Sequence, residues 1–548
     1  MHRLLPLVAA LPLLGAALLA GAGRRLPRPA AEASACAVSA GTAVLALALL
    51  RDAPLTEWAG ARPRLGIVLT GDRPGLAAAA LASLLTFAAL AYSWRYFEEP
   101  PRGHAGAFPA LMLAFQAGMC GFALAGDLFN AFVFFELMGV VAYALTGYRI
   151  DDPRAVQGAL TFGIVNSLGG YALLLGIGLL YARTGELAMT RVGHALDAHG
   201  PPDALVLAAF TLVTAGLLVK AAAVPFHFWL PDAHAVAPTP VCMLLSGVMV
   251  ELGVYGVWRV YGTVFAGPGG IPEAGFTRAL VVLGTLTAVT GAALCRRQRH
   301  VKRLLACSTI AHTGLFLTGI GLLTPESDEG VALYVLGHAG VKAALFACAG
   351  TLLDRYGSVD EPELHGRARE LRATGVLCAL AALGLAGLPP FLTGLGKAAV
   401  EESAGPWLAP LYIVVPAVTA GAVLRMTAHV FRGLGPRPPG ADTRDRTTGS
   451  HERPETGRRL RGIPDGMTAV PALLLAAALV PGVLGHWTPP GVLSGLAAAL
   501  LAALLARVSV VRPGPDRARW PQWLQSGHVG DYVAWSLLGT AVLGMLAR

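Results

Sequence analysis

An apolar run long enough to cross a bilayer recurs about sixteen times along this chain, and that repetition decides the fold class before any motif does. The runs lie near 4–23, 30–50, 75–94, 107–126, 128–148, 159–182, 204–224, 241–262, 279–295, 304–323, 331–353, 374–395, 408–431, 467–487, 489–509 and 531–547. In lipid the backbone amides and carbonyls must pair within the segment. The expectation is therefore an all-α, polytopic integral membrane protein of about 14–16 transmembrane helices. A hydrophobic share of 55%, against 14% charged, excludes an ordinary soluble domain.

The first run is followed by Arg24, Arg25 and Arg28, whereas a cleaved signal carries its charges before the apolar core, so a retained helix is expected. Basic loops alternate with neutral or acidic ones, which puts the N-terminus outside and the odd-to-even loops in the cytoplasm. Residues 433–465, rich in Pro, Gly, Arg and Thr, read as a disordered cytoplasmic linker. It separates N-terminal helices (1–104) and a central bundle (105–432) from accessory helices (466–548).

The net charge of +9 lies in short loops with no basic stripe and interleaved aromatics, so nucleic-acid binding is not expected. Seven scattered cysteines form no C-x-x-C pair, and no Walker motif or strand-borne G-x-G-x-x-G occurs. The chain itself is expected to hold no metal, nucleotide or redox cofactor.

Of the 42 basic residues only four are lysines: Lys220, Lys302, Lys342 and Lys397. Three of them lie in or at the edge of apolar runs. Arg is always charged, but a buried Lys can release its proton, so lysines kept in an Arg-dominated chain point to proton transfer. Lys220 ends an apolar run that breaks at Pro225 and Pro231, and Lys397 follows the Pro389–Pro390 break. Broken backbone at membrane depth survives only where protein or a watery cavity receives it, and paired broken spans suggest an internal repeat.

Other ionisable groups share those runs. Glu136 is a candidate carboxylate partner of Lys220. Glu251 is a further intramembrane acid, able to pair with Lys220 or Lys342. His338 and Lys342 lie four residues apart on one helical face, as do Ser308 and His312. His227, Asp232 and His234 read as a polar hinge or relay rather than a metal site, since their spacing matches no metal motif. For each of these a purely structural role, as a fixed ion pair or a satisfied core side chain, stands beside the functional one.

Five stretches together, LVKAAAVPFHFWLPDAHAVAPTPV, NAFVFFELMGVVAYALTGY, KRLLACSTIAHTGLF, HAGVKAALF and GLPPFLTGLGK, resemble the proton-conducting antiporter-like membrane subunits. That superfamily comprises the large membrane subunits of respiratory complex I, of membrane-bound hydrogenases, and of Mrp cation/proton antiporters, including their D-type subunits. The resemblance covers roughly residues 105–430. It implies two inverted five-helix repeats with two discontinuous helices, and a proton relay of Glu136, Lys220, His338, Lys342 and Lys397. Read from the residues themselves rather than from the resemblance, His227, Asp232, His234, Glu251 and His312 are secondary relay or gating candidates. Glu251 stands where the family often has Lys or His. Implied partners are other membrane subunits, protons and, in the Mrp branch, Na⁺, in a bacterial cell membrane. Any redox cofactors would lie in partner subunits, and the chain would not be catalytic alone. Three functions remain open: a proton-translocating subunit of a complex I-like assembly, a D-type subunit of an Mrp Na⁺/H⁺ antiporter, and a non-conducting membrane scaffold.

Overall fold

The computed structural model describes residues 2–59, 67–94, 105–437, 452–456, 459–511 and 529–548. Among these residues thirteen helices of eighteen or more residues are apolar enough to cross a membrane, and three shorter helices are also apolar. In chain order the N-terminal part is α1 (Leu7–Ala22), α2 (Arg28–Leu50), strands β1 (Leu55–Ala59) and β2 (Ile67–Gly71), and α3 (Arg73–Tyr92). The centre runs through α4 (Ala107–Leu124), α5 (Leu128–Thr146), α6 (Pro153–Thr184), α7 (Met189–His199), α8 (Ala204–Lys220), α9 (Trp229–Val236) and α10 (Thr239–Phe265). It continues with α11 (Glu273–Arg297), α12 (Val301–Ile320), α13 (Pro325–Tyr356), α14 (Arg372–Ala386) and α15 (Leu392–Arg432), the last being two helical stretches between which the chain leaves helical geometry at Gly405 (φ 68°, ψ 174°). The last helices are α16 (Asp465–Leu484), α17 (Pro489–Val511) and α18 (Val529–Leu546).

Local chemistry sets these boundaries. Asp72, Asp127, Asp152, Asp203 and Thr324 each accept a backbone N–H at the start of a helix. The 32-residue helices α6 and α13 both start on Pro and stop at a left-handed glycine, Gly185 (φ 68°) and Gly357 (φ 66°). That likeness extends to whole repeats. Short gaps at 125–127 and 298–300 precede α5 and α12. The residue entering each helix bridges antiparallel to the chain beyond the long helix, Asp127 to Ala188 and His300 to Asp360. One bridge lies at each end of the bundle, as inverted repeats require.

The hairpin β1–β2, registered Leu55 to Gly71, is unheralded by the hydrophobic pattern. Its strands are only five residues long, and β2 is anchored by Asp127, whose Oδ2 accepts from Val68 N at 3.0 Å. The stretch expected to be a disordered linker also differs where it is described. Glu455 is buried, its backbone N–H donates to Asp354 Oδ1 at 2.6 Å, and Leu460 N–H donates to Asp354 O at 2.9 Å. A charged stretch settles here because α13 offers a fixed carboxylate and free carbonyls. Residues 438–451 and 457–458 of that expectation lie outside the described residues.

Between α13 and α14, fully buried Glu361 accepts from Arg425 Nε (3.2 Å) and Nη2 (3.1 Å), from Arg299 Nη1 (3.5 Å) and from His429. Burial alone would push this carboxyl up, but Arg425, the His429 hydrogen bond and Arg299 outweigh it and hold it at about 2, against an ordinary 4.5. A lowered folded-state value means the stabilisation is complete above the ordinary value and is lost as pH falls through about 2. Glu361→Gln, which leaves two guanidinium groups short of a counter-charge, is expected to cost about 3–5 kcal/mol at neutral pH. Thermal unfolding in detergent checks this, and the gap between wild type and variant should close as pH drops from 4.5 towards 2.

Candidate functional site: a buried polar chain through two broken helices

Two apolar runs are interrupted within the bundle. α8 ends at Lys220 and the helix resumes at Trp229, while α14 ends at Ala386 and α15 begins at Leu392. Protein receives the freed backbone groups. Val224 N–H donates to Thr287 Oγ1 (2.9 Å), the Trp229 indole to Val219 O (2.9 Å), and the Thr393 hydroxyl to Gly384 O (2.5 Å). Ala222 takes a left-handed φ of 51°, which costs an alanine about 1–2 kcal/mol. Gly387, at φ 78° in the second break, avoids that cost. Pro225, Pro389 and Pro390 lie in the breaks as expected. Pro231 does not: it is the third residue of α9, where its missing N–H falls among the unpaired donors of a first turn.

Lys220 is buried at the end of α8, with Nζ 4.2 Å from the centroid of the Phe135 ring on α5. Gly139, one turn on, makes that approach possible, since a Cβ there would lie 3.1 Å from Nζ. Glu136 leans instead against α6, where a Cβ on Gly170 would meet its Oε1 at 1.9 Å. The expected Glu136–Lys220 ion pair is therefore not closed: among the described residues no hydrogen bond or ion pair within 4.0 Å joins them. The two groups flank α5 as neighbours without touching.

α10 carries the next acid. Its Gly253 packs directly on the backbone of Ala221, with a Cβ-to-Ala221 N distance of 2.5 Å, and this sets Glu251 beside the first break. Glu251 does not pair with Lys220 or Lys342; Oε1 meets His338 Nδ1 at 2.6 Å, both side chains being buried. The His338 ring stacks on His312 (4.8 Å between centroids). His312 Nδ1 meets Tyr334 OH at 2.9 Å, and its Nε2 meets Thr419 Oγ1 at 3.2 Å. Five buried side chains from four helices thus form a row.

His338 and Lys342 share a face of α13 but bond to different partners. Lys342 Nζ donates to Ser308 Oγ at 2.6 Å and to Leu305 O, both on α12. Thr309 Oγ1 donates to the same carbonyl (3.2 Å) and meets Ser246 Oγ (2.9 Å), which meets His234 Nε2 (2.9 Å). A π-type turn within α10, Leu245–Met249, turns Ser246 into this path. Lys342 and His234 are thereby linked through α12 and α10. His227, Asp232 and His234 do not converge. Asp232 pairs with Arg303 (3.0 Å) and accepts from Tyr532 (3.1 Å), while neither ring nitrogen of buried His227 has a hydrogen-bond partner among the described residues.

At the second break Lys397 folds back over Gly387 and donates to Ser494 Oγ at 2.9 Å, with Glu401 3.4 Å away. Ser494 donates in turn to Glu401 Oε1 at 2.6 Å. Glu401, which falls between the apolar runs 374–395 and 408–431, lies on α15 one turn after Lys397. The i,i+4 spacing that marked His338 and Lys342 was the available signal. Ser494 had none, because a serine in an accessory helix carries no mark of its neighbour.

Residues 125–423, more than half of the chain, match the family described as NADH:quinone oxidoreductase/Mrp antiporter, transmembrane region. The chain belongs to that family. NADH-quinone oxidoreductase subunit N of Desulforudis audaxviator is 32% identical over 431 residues, covering 75% of this chain and 83% of that protein. The D-type subunit of the Na⁺/H⁺ antiporter of Bacillus subtilis is 27% identical, covering 68% of this chain and 72% of that protein. A chain of the membrane-bound sulfane sulfur reductase, an archaeal respiratory membrane complex, shares the fold with TM-score 0.76 at 23% identity, over 93% of this chain and all of that one. The Mrp complex of Dietzia sp. matches as well at TM-score 0.76 and 24% identity, over 99% of this chain and 60% of that chain.

Two glycines at the site have opposite sensitivities. An alanine at Gly253 meets rigid backbone and is expected to cost about 1–3 kcal/mol. An alanine at Gly170 meets only the movable end of Glu136 and is expected to cost less than about 1 kcal/mol while displacing that carboxylate. Thermal unfolding of the two purified variants in detergent checks the ranking.

Proposed function

We propose that this chain is the proton-translocating membrane subunit of a multi-subunit, complex I-like assembly, a NADH:quinone oxidoreductase or hydrogenase relative. The observation that carries this reading is the row of buried ionisable and hydroxyl side chains lying between the two broken helices. Such a row has no structural economy, because each charge or polar group in an apolar interior costs free energy unless paired. It has a use as a path for protons. Lys220 takes up a proton from the positively charged face of the bundle. Glu136, close by but not in contact, stabilises the cation when it swings nearer and favours release when it withdraws. A change of about 1.4 kcal/mol in that interaction shifts the proton equilibrium tenfold. The released proton crosses to Glu251 and His338, passes His312 and Tyr334, and leaves by Lys397, Ser494 and Glu401. Lys342, with its branch to His234, supplies a second acceptor on the same helix as His338. Any electron transfer belongs to partner subunits, and the redox cofactors with it. The chain works in a bacterial cell membrane.

A second reading, as the D-type subunit of an Mrp Na⁺/H⁺ antiporter, is favoured by the similarity to the Bacillus subtilis protein. Purification of the native complex in mild detergent separates the two. Iron–sulfur and flavin- or nickel-bearing partners support the first, and small hydrophobic partners without iron support the second.

Lys220→Ala is expected to abolish proton movement in membrane vesicles while the complex still assembles. Lys220→Arg should fail as well, because arginine keeps its proton. Normal transport in the alanine variant would remove Lys220 from the path, and full activity with arginine would show that only its charge is needed.

A further inference from the structure

The chain segment that follows the bundle returns to the positively charged face and inserts a carboxylate there. Glu455 lies beyond the family-matched region, 125–423, and its side chain is only 2% exposed. Oε1 accepts from Lys302 Nζ at 2.7 Å, and Oε2 accepts from the backbone N–H of Thr239, at the start of α10, at 2.8 Å. Asp354, near the end of α13, holds the segment by accepting the N–H groups of Glu455 (2.6 Å) and Thr456 (3.1 Å). One residue therefore ties the start of α10, in the first repeat, to the start of α12, in the second.

Lys302 stands at the mouth of a path already described. It helps line a cleft with Asp152, Arg154, Val236, Glu452 and Glu455. Its Nζ also donates to Ala237 O at 3.1 Å, immediately beyond α9 and three residues after His234. From His234 hydrogen bonds continue through Ser246 and Thr309 to the carbonyl shared with Lys342. A fixed, buried cation at that mouth repels every arriving proton unless a counter-charge sits on it.

We propose that Glu455 is the counter-charge that neutralises and positions Lys302 at the mouth of the proton path, making the segment after the bundle part of the uptake machinery. This rests on the reading of the chain as proton-translocating. Glu455 acts through Lys302 and is a positioning residue; it need not carry the proton itself.

The test uses inside-out vesicles containing the whole complex, with the initial rate of proton movement divided by the amount of assembled complex on native gels. Glu455→Gln, which leaves the Lys302 charge bare, is expected to slow proton movement at least about tenfold. The double variant Glu455→Gln/Lys302→Met, with both charges of the pair removed, should recover to within about threefold of wild type, and Glu455→Asp should keep most of the rate. A merely structural contact predicts the reverse ranking, with the double variant no better than the single. Wild-type rates in Glu455→Gln, or a double variant that assembles and stays as slow as the single, would overturn the proposal. If Glu455→Gln does not accumulate, pumping by both the double and the Asp variants still supports it. A tenfold loss in either of these, or failure of the double to assemble, overturns it. Wild-type vesicles that move no protons would refute the functional reading itself, whereas proton movement in wild type that is unchanged in Glu455→Gln refutes only the role of Glu455.

Discussion

A bilayer interior accepts a charge or a bare peptide group only where protein stands ready to receive it, and the centre of this molecule is arranged around that demand. The two breaks free backbone donors and acceptors at membrane depth, and two threonine hydroxyls and an indole take them up. The same requirement places the ionisable groups. Lys342 has a hydroxyl and a carbonyl, Lys397 has Ser494 and Glu401, and His338 has Glu251. Lys220 is the exception. Its ammonium rests over an aromatic ring and forms no hydrogen bond among the described residues, which makes it the least compensated cation of the row.

The inverted repeat gives that row its extent. Each repeat contributes one broken helix, and the bridges at Asp127 and His300 fix equivalent corners at opposite ends of the bundle. The side chains they organise are not equivalent. Glu136 stands on α5, where the matching position of α12 is Thr309, and the long helix that carries His338 and Lys342 is matched by one with Asn166 and Gly170. The backbone is nearly symmetric and the chemistry is not, so a proton crossing from one repeat to the other meets a different set of groups on each side.

What the amino-acid sequence revealed and what it hid divide along a physical line. Spans, breaks and the intramembrane lysines are properties of a segment, readable from hydrophobicity, proline and composition. Partners are properties of the fold. Spacing put His338 and Lys342 on one face correctly, but it does not say that Glu251 opposes the first and Ser308 the second. Glu136 and Lys220 lie near each other without closing an ion pair, because a glycine on α6 gives the carboxylate somewhere else to lie. Glu455 was hidden for a further reason: a polar, proline-rich stretch has the composition of a linker, and only the carboxylate of Asp354 and the ammonium of Lys302 give it a place to dock.

The last two helices among the described residues cover the two breaks. α17 lays Ser494 on Lys397 and packs along α15, while α18 stacks Tyr532 on Phe228 and seats Gly539 against Pro225. The order of synthesis then matters. A nascent chain that has inserted α8 and α14 holds two breaks whose backbone groups are satisfied but whose outer sides lack Ser494 and Tyr532, and each waits for a cover made much later, the first until residue 532 leaves the ribosome. Throughout that interval the unfinished bundle depends on the insertion machinery, or on a neighbouring subunit, to shield what its own C-terminus will eventually enclose.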